Sequence, residues 1–378
     1  MSAWARTTVG AVMPFRYGKG LPERARSHTG KFRVVSSAGF IDSHDHALTH
    51  GATVVVGRKG SIGTVYYCPE PVFPIDTTFY VEGSDQIDSR FAFYLLSSLP
   101  LRQMNNDSAV PGLNRTHAEN LEILLPPIGD QRAIAATLGV LDDKIESNRR
   151  TVELIEKLLV LEFQKLLRKE PVEFRKLSEL TTIIKGVSYK SVDLRESSTS
   201  LVTLKSFDRT GGYKADGLKQ YIGPYKQKQI IEPGEVVVAQ TDLTQGAEVV
   251  GRAVRVPAES SADVLVASLD LAIVRPQPEL SPEYLLGILV DESFREHCRS
   301  RTSGTTVLHL ASDAIPNYMA PFVSEVAQQN FSTLSRPLLA RADSLNIETL
   351  KLESLRNALL PELISGRIRV PTATEVVS

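Results

Sequence analysis

Ile134-Ala135-Ala136-Thr137-Leu138-Gly139-Val140-Leu141-Asp142-Asp143-Lys144-Ile145-Glu146-Ser147-Asn148-Arg149-Arg150-Thr151-Val152-Glu153-Leu154-Ile155-Glu156-Lys157-Leu158-Leu159 carries Ile134, Leu138, Leu141, Ile145, Asn148, Val152, Ile155 and Leu159 on an alternating spacing of four and three. That spacing is the seam of a helix packed along another helix. Pro126-Pro127 precedes the stretch and Pro171 follows it, so a helix over about 130–169 is expected to run without a stop. At 1.5 Å per residue it would be roughly 60 Å long. A seam of that length needs a partner, and a second stretch from about 326 to 364 supplies one with Leu338, Ala342, Leu345, Thr349, Leu352, Leu355, Leu359 and Leu363. Pro337 and Pro361 are placed near its ends or at a kink. The economical arrangement is an antiparallel pair of long helices, with the polar Asn148 fixing register at some cost in stability.

What lies outside the helices is written twice. Val54-Val55-Val56 answers Val236-Val237-Val238, and Ile75 to Val81 answers Ser268 to Val274. Tyr94-Leu95-Leu96 answers Tyr284-Leu285-Leu286, Ser108 to Leu113 answers Ser303 to Leu308, and Asn148 to Leu154 answers Asn346 to Leu352. In the first copy, Ala52 to Val56, Thr64 to Tyr67 and Thr77 to Val81 read as strands, and Arg90 to Leu101 as a short helix. The expected class is α+β: two similar mixed α/β domains, 1–126 and 171–322, joined by long antiparallel helices over 127–170 and 323–378. A chain of 378 residues has room for two domains of ordinary size.

With 42% hydrophobic and 23% charged residues the composition is that of a globular protein. No apolar run reaches about 18 residues, and Met1 to Thr8 lacks the apolar centre of a signal peptide. The two cysteines, Cys68 and Cys298, lie in opposite halves, and free thiols in a reducing cytoplasm are expected. Net charge is −1, so a nucleic-acid binder of this composition must concentrate its cations locally.

They are concentrated. Arg16, Tyr17, Lys19, Arg24, Arg26 and Lys31 form a basic segment suited to a phosphate backbone. Arg58 and Lys59 follow a strand between Gly57 and Gly60, with Ser61 beside them; alone, the run favours a solvated turn with two surface charges over a DNA contact. Asn105, Asn106, Ser108, Asn114 and Arg115 are loop residues able to contact bases or phosphates. In the second copy, Lys205, Arg209, Tyr213, Lys214, Lys219, Tyr221, Tyr225, Lys226 and Lys228 interleave cations with aromatics, as an amphipathic hairpin would also do. Gln240, Thr241, Asp242, Thr244 and Gln245 stand where the first copy has Gly-Arg-Lys-Gly. Glutamine can pair with adenine and aspartate can accept from cytosine. Arg299, Arg301, Ser303, Thr305, Thr306 and His309 form a second polar loop.

Leu125-Pro126-Pro127-Ile128-Gly129-Asp130-Gln131-Arg132-Ala133-Ile134-Ala135, with Leu141 to Arg150, resembles the central region of Type I restriction-modification specificity subunits. The tail Leu355 to Ile368 resembles the end of that family, and Val56 to Gly63 with Val110 to Arg115 its first recognition domain. The second module departs from the Gly-Arg-Lys-Gly-Ser run, so residues are not carried over to it one by one. The resemblance implies a non-catalytic DNA reader. Residues 1–126 and 171–322 would each read one half of a bipartite site on double-stranded DNA, with 127–170 and 323–378 as spacer helices that set the gap. It implies two copies of an adenine methyltransferase subunit and, where present, restriction (motor-nuclease) subunits as partners. This chain would bind no cofactor: S-adenosylmethionine would sit in the methyltransferase, ATP and Mg in the restriction subunit. It also turns Arg58 and Lys59 towards DNA rather than solvent.

Other chemistry finds little support. His44, His46 and His50 lack the spacing of a zinc site. Gly57 to Gly63 is not a phosphate-binding P-loop. Leu125-Pro126-Pro127-Ile128 lacks the polar and aromatic residues that an adenine methyltransferase places around its prolines. The alternatives are an assembly scaffold that does not read DNA and, further off, a stand-alone DNA-modifying enzyme.

Overall fold

A computed structural model describes residues 4–104, 112–208, 211–242, 246–257, 262–305 and 307–370. The chain divides into one unit made of Met1–Ile145 with Lys351–Ser378, and a second made of Glu146–Leu350. Helix and sheet are mixed in both, and none of the described helices is long and apolar enough to cross a membrane.

The first long helix is Ile128–Lys169 and the second Glu325–Ile364. Along the first, Ile134, Leu138, Ile145, Asn148, Ile155 and Leu159 are buried and Leu141 and Val152 half-buried, so the seam lies where the spacing puts it. In the first unit Arg356 pairs with Asp142 at 2.7 Å, and Leu359 and Leu363 pack in the core that holds Ile134 and Leu138. In the second unit Asn148 Nδ2 donates to Glu348 Oε2 at 2.9 Å, and Ile155 and Leu159 pack on Ala342. As residue numbers rise on one helix they fall on the other, so within each unit the two segments run antiparallel.

The second stripe needs correction. Leu355 is 48% exposed. Its neighbour Arg356 turns towards Asp142 instead, because an ion pair with both side chains about three-quarters covered holds that turn. The helix also runs on through Pro337 and Pro361, which cost it a backbone donor each.

The duplication extends to strand order. In the first unit the sheet runs Arg16–Tyr17, Thr78–Glu82, Thr53–Gly57, Val65–Cys68; in the second it runs Thr181–Lys185, Leu271–Pro276, Val236–Ala239, Ala253–Arg255. Each unit adds a three-stranded sheet whose middle strand, Phe32–Ser36 or Thr199–Val202, pairs parallel on one side and antiparallel on the other. Val54-Val55-Val56 and Val236-Val237-Val238 are fully apolar because their strands lie in the sheet centre and are buried on both faces. Gly63 and Gly251 occupy the same turn, each donating its N–H back to the end of the central strand. Both have positive φ (67° and 76°), and a Cβ would come within 2.4 Å of Arg102 N at Gly63 and of Cys298 Cβ at Gly251. Only glycine fits there.

Two repeat correspondences shift. The short helices Ser89–Ser98 and Pro282–Val290 start from Asp88 and Ser281, whose side chains cap them. Counting from the caps sets Phe91, not Tyr94, opposite Tyr284. The literal Tyr-Leu-Leu match is off by about one turn, because apolar residues recur at that interval on any buried helix face. Likewise Leu113, which donates to Arg58 O, corresponds to Leu310, which donates to Gln240 O, rather than to Leu308.

Cys68 and Cys298 are free and buried, and burial pushes both thiols up to about 12. Arg255 and Asp343 form a two-pronged ion pair at 2.7 and 2.8 Å, with side chains 19% and 10% exposed. Asp343→Ala is expected to destabilise the second unit by about 1.5 to 3 kcal/mol, the range for hydrogen bonds to charged groups. Chemical denaturation of the wild type and the variant measures it, and equal midpoints would refute the assignment.

Candidate nucleic-acid interface

In the first unit three segments converge where the central strand ends: the strand Arg16–Tyr17, the turn after Gly57, and the start of the short helix Arg115–Glu119. Tyr17, half exposed, is flanked by two guanidiniums, Arg58 at 5.2 Å from its ring centre and Arg115 at 5.7 Å. Arg58 also lies 5.8 Å from the ring centre of Phe79. Cations over aromatic faces are attracted by the negative face of the ring quadrupole. Lys59, exposed, bridges to Gly112. Ser61 and Asn114 are exposed nearby in sequence, and Asn114 caps the short helix by accepting from His117 N.

Not every predicted cation is free for a ligand. Arg16 pairs with Glu82 at 2.9 Å, Arg115 with Glu119 at 2.9 Å and Arg26 with Asp42 at 3.6 Å. Asp42 is held below its ordinary value, chiefly by the Ser43 N–H it accepts and against the opposing effect of burial. Arg24 and Lys19 are exposed. Lys31 lies 5.8 Å from the ring centre of Phe32. Arg26 sits by the three-stranded sheet through Asp42 on the strand Gly39–His44. Asn105, with Asn106 and Ser108, lies outside the described residues.

In the second unit the corresponding strand end brings Gln240 and Thr241 beside the hairpin Thr302–Ser303 and Leu308–Leu310, with His309 facing both Thr241 and Ser303. Ser303, Thr305, His309 and Arg301 are exposed. Three expectations are corrected here. Asp242 is 2% exposed and accepts from Val249 N and Val250 N, so it holds the following turn together and is not presented to a base. Thr241 is buried, with its hydroxyl on Asp270 at 2.9 Å. Tyr221 is 1% exposed in a core cluster, with its hydroxyl given to Pro224 O. Thr244, Gln245, Arg209 and Thr306 lie outside the described residues.

The aromatic-rich segment is a series of turns rather than a hairpin. Lys205 is exposed, Lys214 is 3.9 Å from Asp208, and Tyr213 is half-buried, its phenol pushed up to about 12 by burial. Lys219 lies over the Tyr189 ring at 5.3 Å and donates to its hydroxyl.

Two groups escape a reading of the sequence. Tyr189 stands far from Lys219 along the chain. Arg252 and Arg295 both reach Glu248 O, at 2.6 and 3.2 Å, with Arg299 on Gly246 O at 3.4 Å. Burial, then the Arg295 charge, holds Arg252 below its ordinary value. Nothing in the local pattern around Gly251-Arg252 announces this cluster, since its members come from separate elements.

Comparison with known proteins agrees with the architecture. Residues 1–157 match the family described as Type I restriction modification DNA specificity domain. The chain is 20% identical over 346 residues to the Type I restriction enzyme MjaIX specificity subunit of Methanocaldococcus jannaschii, covering 84% of this chain and 78% of that one. It is also 20% identical to the MjaVIII specificity subunit of the same organism, over 85% and 77% of the two chains. The crystal structure of a Type-I restriction-modification system S subunit from M. genitalium shares the fold, with a TM-score of 0.60 at 18% identity and 96% of each chain covered.

Proposed function

We propose that the chain is a specificity subunit of the Type I restriction-modification kind, not itself an enzyme, whose two modules each read one half of a bipartite DNA site. One observation carries this reading: two modules of identical strand order end their central strands in loops of different side chains, Arg58-Lys59 in one and Gln240-Thr241 in the other. A shared scaffold with divergent loops suits two readers of two sequences. The exposed cations and the ring-held Arg58 supply the local positive footprint that a chain of net charge −1 otherwise lacks.

The long helices act as the spacer, since a stiff helix pair fixes a separation that a flexible linker would not. They also carry two copies of the adenine methyltransferase subunit. Leu154 and Leu161, 59% and 58% exposed on the first long helix, are apolar surface of the kind a partner helix covers. S-adenosylmethionine then belongs to that partner, and ATP and Mg to a restriction subunit where one joins, all in the cytoplasm.

Co-expression with the methyltransferase subunit in an unmethylated host, followed by sequencing that detects methylated adenine, tests the reading. The expected result is a split motif, two short specified blocks around a fixed gap. A soluble complex that methylates no split motif would favour a scaffold that no longer reads DNA.

A further inference from the structure

One backbone position is shared by the two modules and filled differently. Arg58 follows the central strand Thr53–Gly57, donates its N–H to Thr77 O, and accepts from Leu113 N. Gln240 follows the central strand Val236–Ala239, donates its N–H to Asp270 O, and accepts from Leu310 N. The next residue pairs alike in both, Lys59 with Gly112 and Thr241 with His309. At this one position each module leaves a buried polar side-chain atom without a partner: Nε of Arg58 and Oε1 of Gln240. Both side chains are half-buried with the unpartnered atom covered, so pairing with a base edge through that atom takes a turn of the end group.

Unpartnered buried polar atoms are few in folded proteins and each calls for an explanation. That the same position has one in both copies, with different chemistry, points away from accident. The neighbours are already committed: Arg16 and Arg115 to carboxylates, Thr241 to Asp270, Asp242 to two backbone N–H groups. Charge alone is not what the position conserves, because a neutral amide replaces a guanidinium. What the two share is a planar end group able to make paired hydrogen bonds to the edge of a base.

We propose that this position is the base selector of each module, Arg58 reading a guanine through O6 and N7 in one half-site and Gln240 reading an adenine through N6 and N7 in the other. This rests on the reading that both modules bind DNA. The Tyr17 ring, 5.2 Å from the Arg58 guanidinium, holds the fork at the end of the central strand, and exposed Lys59 beside it is placed to meet the phosphate backbone.

The test is the methylation map of the full complex on genomic DNA of an unmethylated host, for wild type, R58Q, R58K and Q240R. R58Q is expected to change or erase a guanine in one block and leave the other block intact. Q240R is expected to do the same to an adenine in the opposite block. Methylation of the original sites should fall roughly 10-fold or more in each. R58K keeps the charge and stem but not the fork, and is expected to lose discrimination at the same base; it decides the matter if R58Q gives no soluble complex. Wild-type motifs unchanged in R58K and Q240R would overturn the proposal, as would a wild-type motif without guanine in one block and adenine in the other. A wild type with no split motif would instead sink the DNA-reading proposal beneath it.

Discussion

Removing residues 146–152 together with 344–350 is expected to shorten the gap between the two specified blocks and leave both blocks unchanged. The cuts fall where the chain passes between its units, at Ile145 and Lys351. They take Asn148 out together with its acceptor Glu348, so neither is left behind. A seven-residue step turns a helix by only about 20° from a whole number of turns, so Ile155 takes the seam position of Asn148 and Leu352 that of Leu345. The Asp142–Arg356 pair of the first unit and the Arg255–Asp343 pair of the second both survive. Seven residues at 1.5 Å each, set against 3.4 Å per base step, give a loss of about three base pairs. The methylation map reads the gap directly. A complex that still methylates with the gap unchanged would refute the spacer role. Deleting only one of the two segments is the control: the seams fall out of register, and methylation should be lost outright.

How far the sequence led depends on whether a feature's cause is local. The helix seam was legible because its spacing is written in consecutive residues, and Asn148 stood out as the polar member of an apolar row. The repeat was legible where strands are buried on both faces, as at Val54–Val56 and Val236–Val238. It slipped at Tyr94 and Tyr284, because the structure aligns on helix caps, Asp88 and Ser281, that differ in residue type. At the interface, sequence found the cations but not their partners. Glu82 and Asp42 come from other elements, and which arginine each would occupy depends on the fold, whereas Glu119 lies four residues along the helix that Arg115 starts. For the same reason Asp242 and Tyr221 read as surface groups, although the turn at Val249–Val250 and a small apolar core enclose them.

The same dependence on distant partners hides what holds each module to its helix. Gln131, 1% exposed, accepts from Asp88 N and donates to Gln86 O and Pro126 O, all at 2.9 Å. Gln328, 2% exposed, accepts from Ser281 N at 3.0 Å and donates to Val323 O at 3.1 Å and Glu279 O at 3.5 Å. In each unit one amide therefore ties the start of a long helix to the cap of a short one and to the segment leading into it. Leucine has nearly the shape of glutamine but none of these bonds, and would strand one buried N–H and two carbonyls. Gln131→Leu is expected to cost the first unit about 3 to 5 kcal/mol, a group or more of uncompensated desolvation. Gln328→Leu should cost the second unit less, because its bonds are longer. Hydrogen exchange locates the effect: protection should fall in Thr53–Gly57 and Thr78–Glu82 for the first variant, and in Val236–Ala239 and Leu271–Pro276 for the second. Equal loss in both units from either variant would mean that the two modules unfold together, and unchanged protection would remove the clamp from the account. If each module reads its own half-site, the damage should also divide functionally, Gln131→Leu weakening one block of the methylated motif before the other.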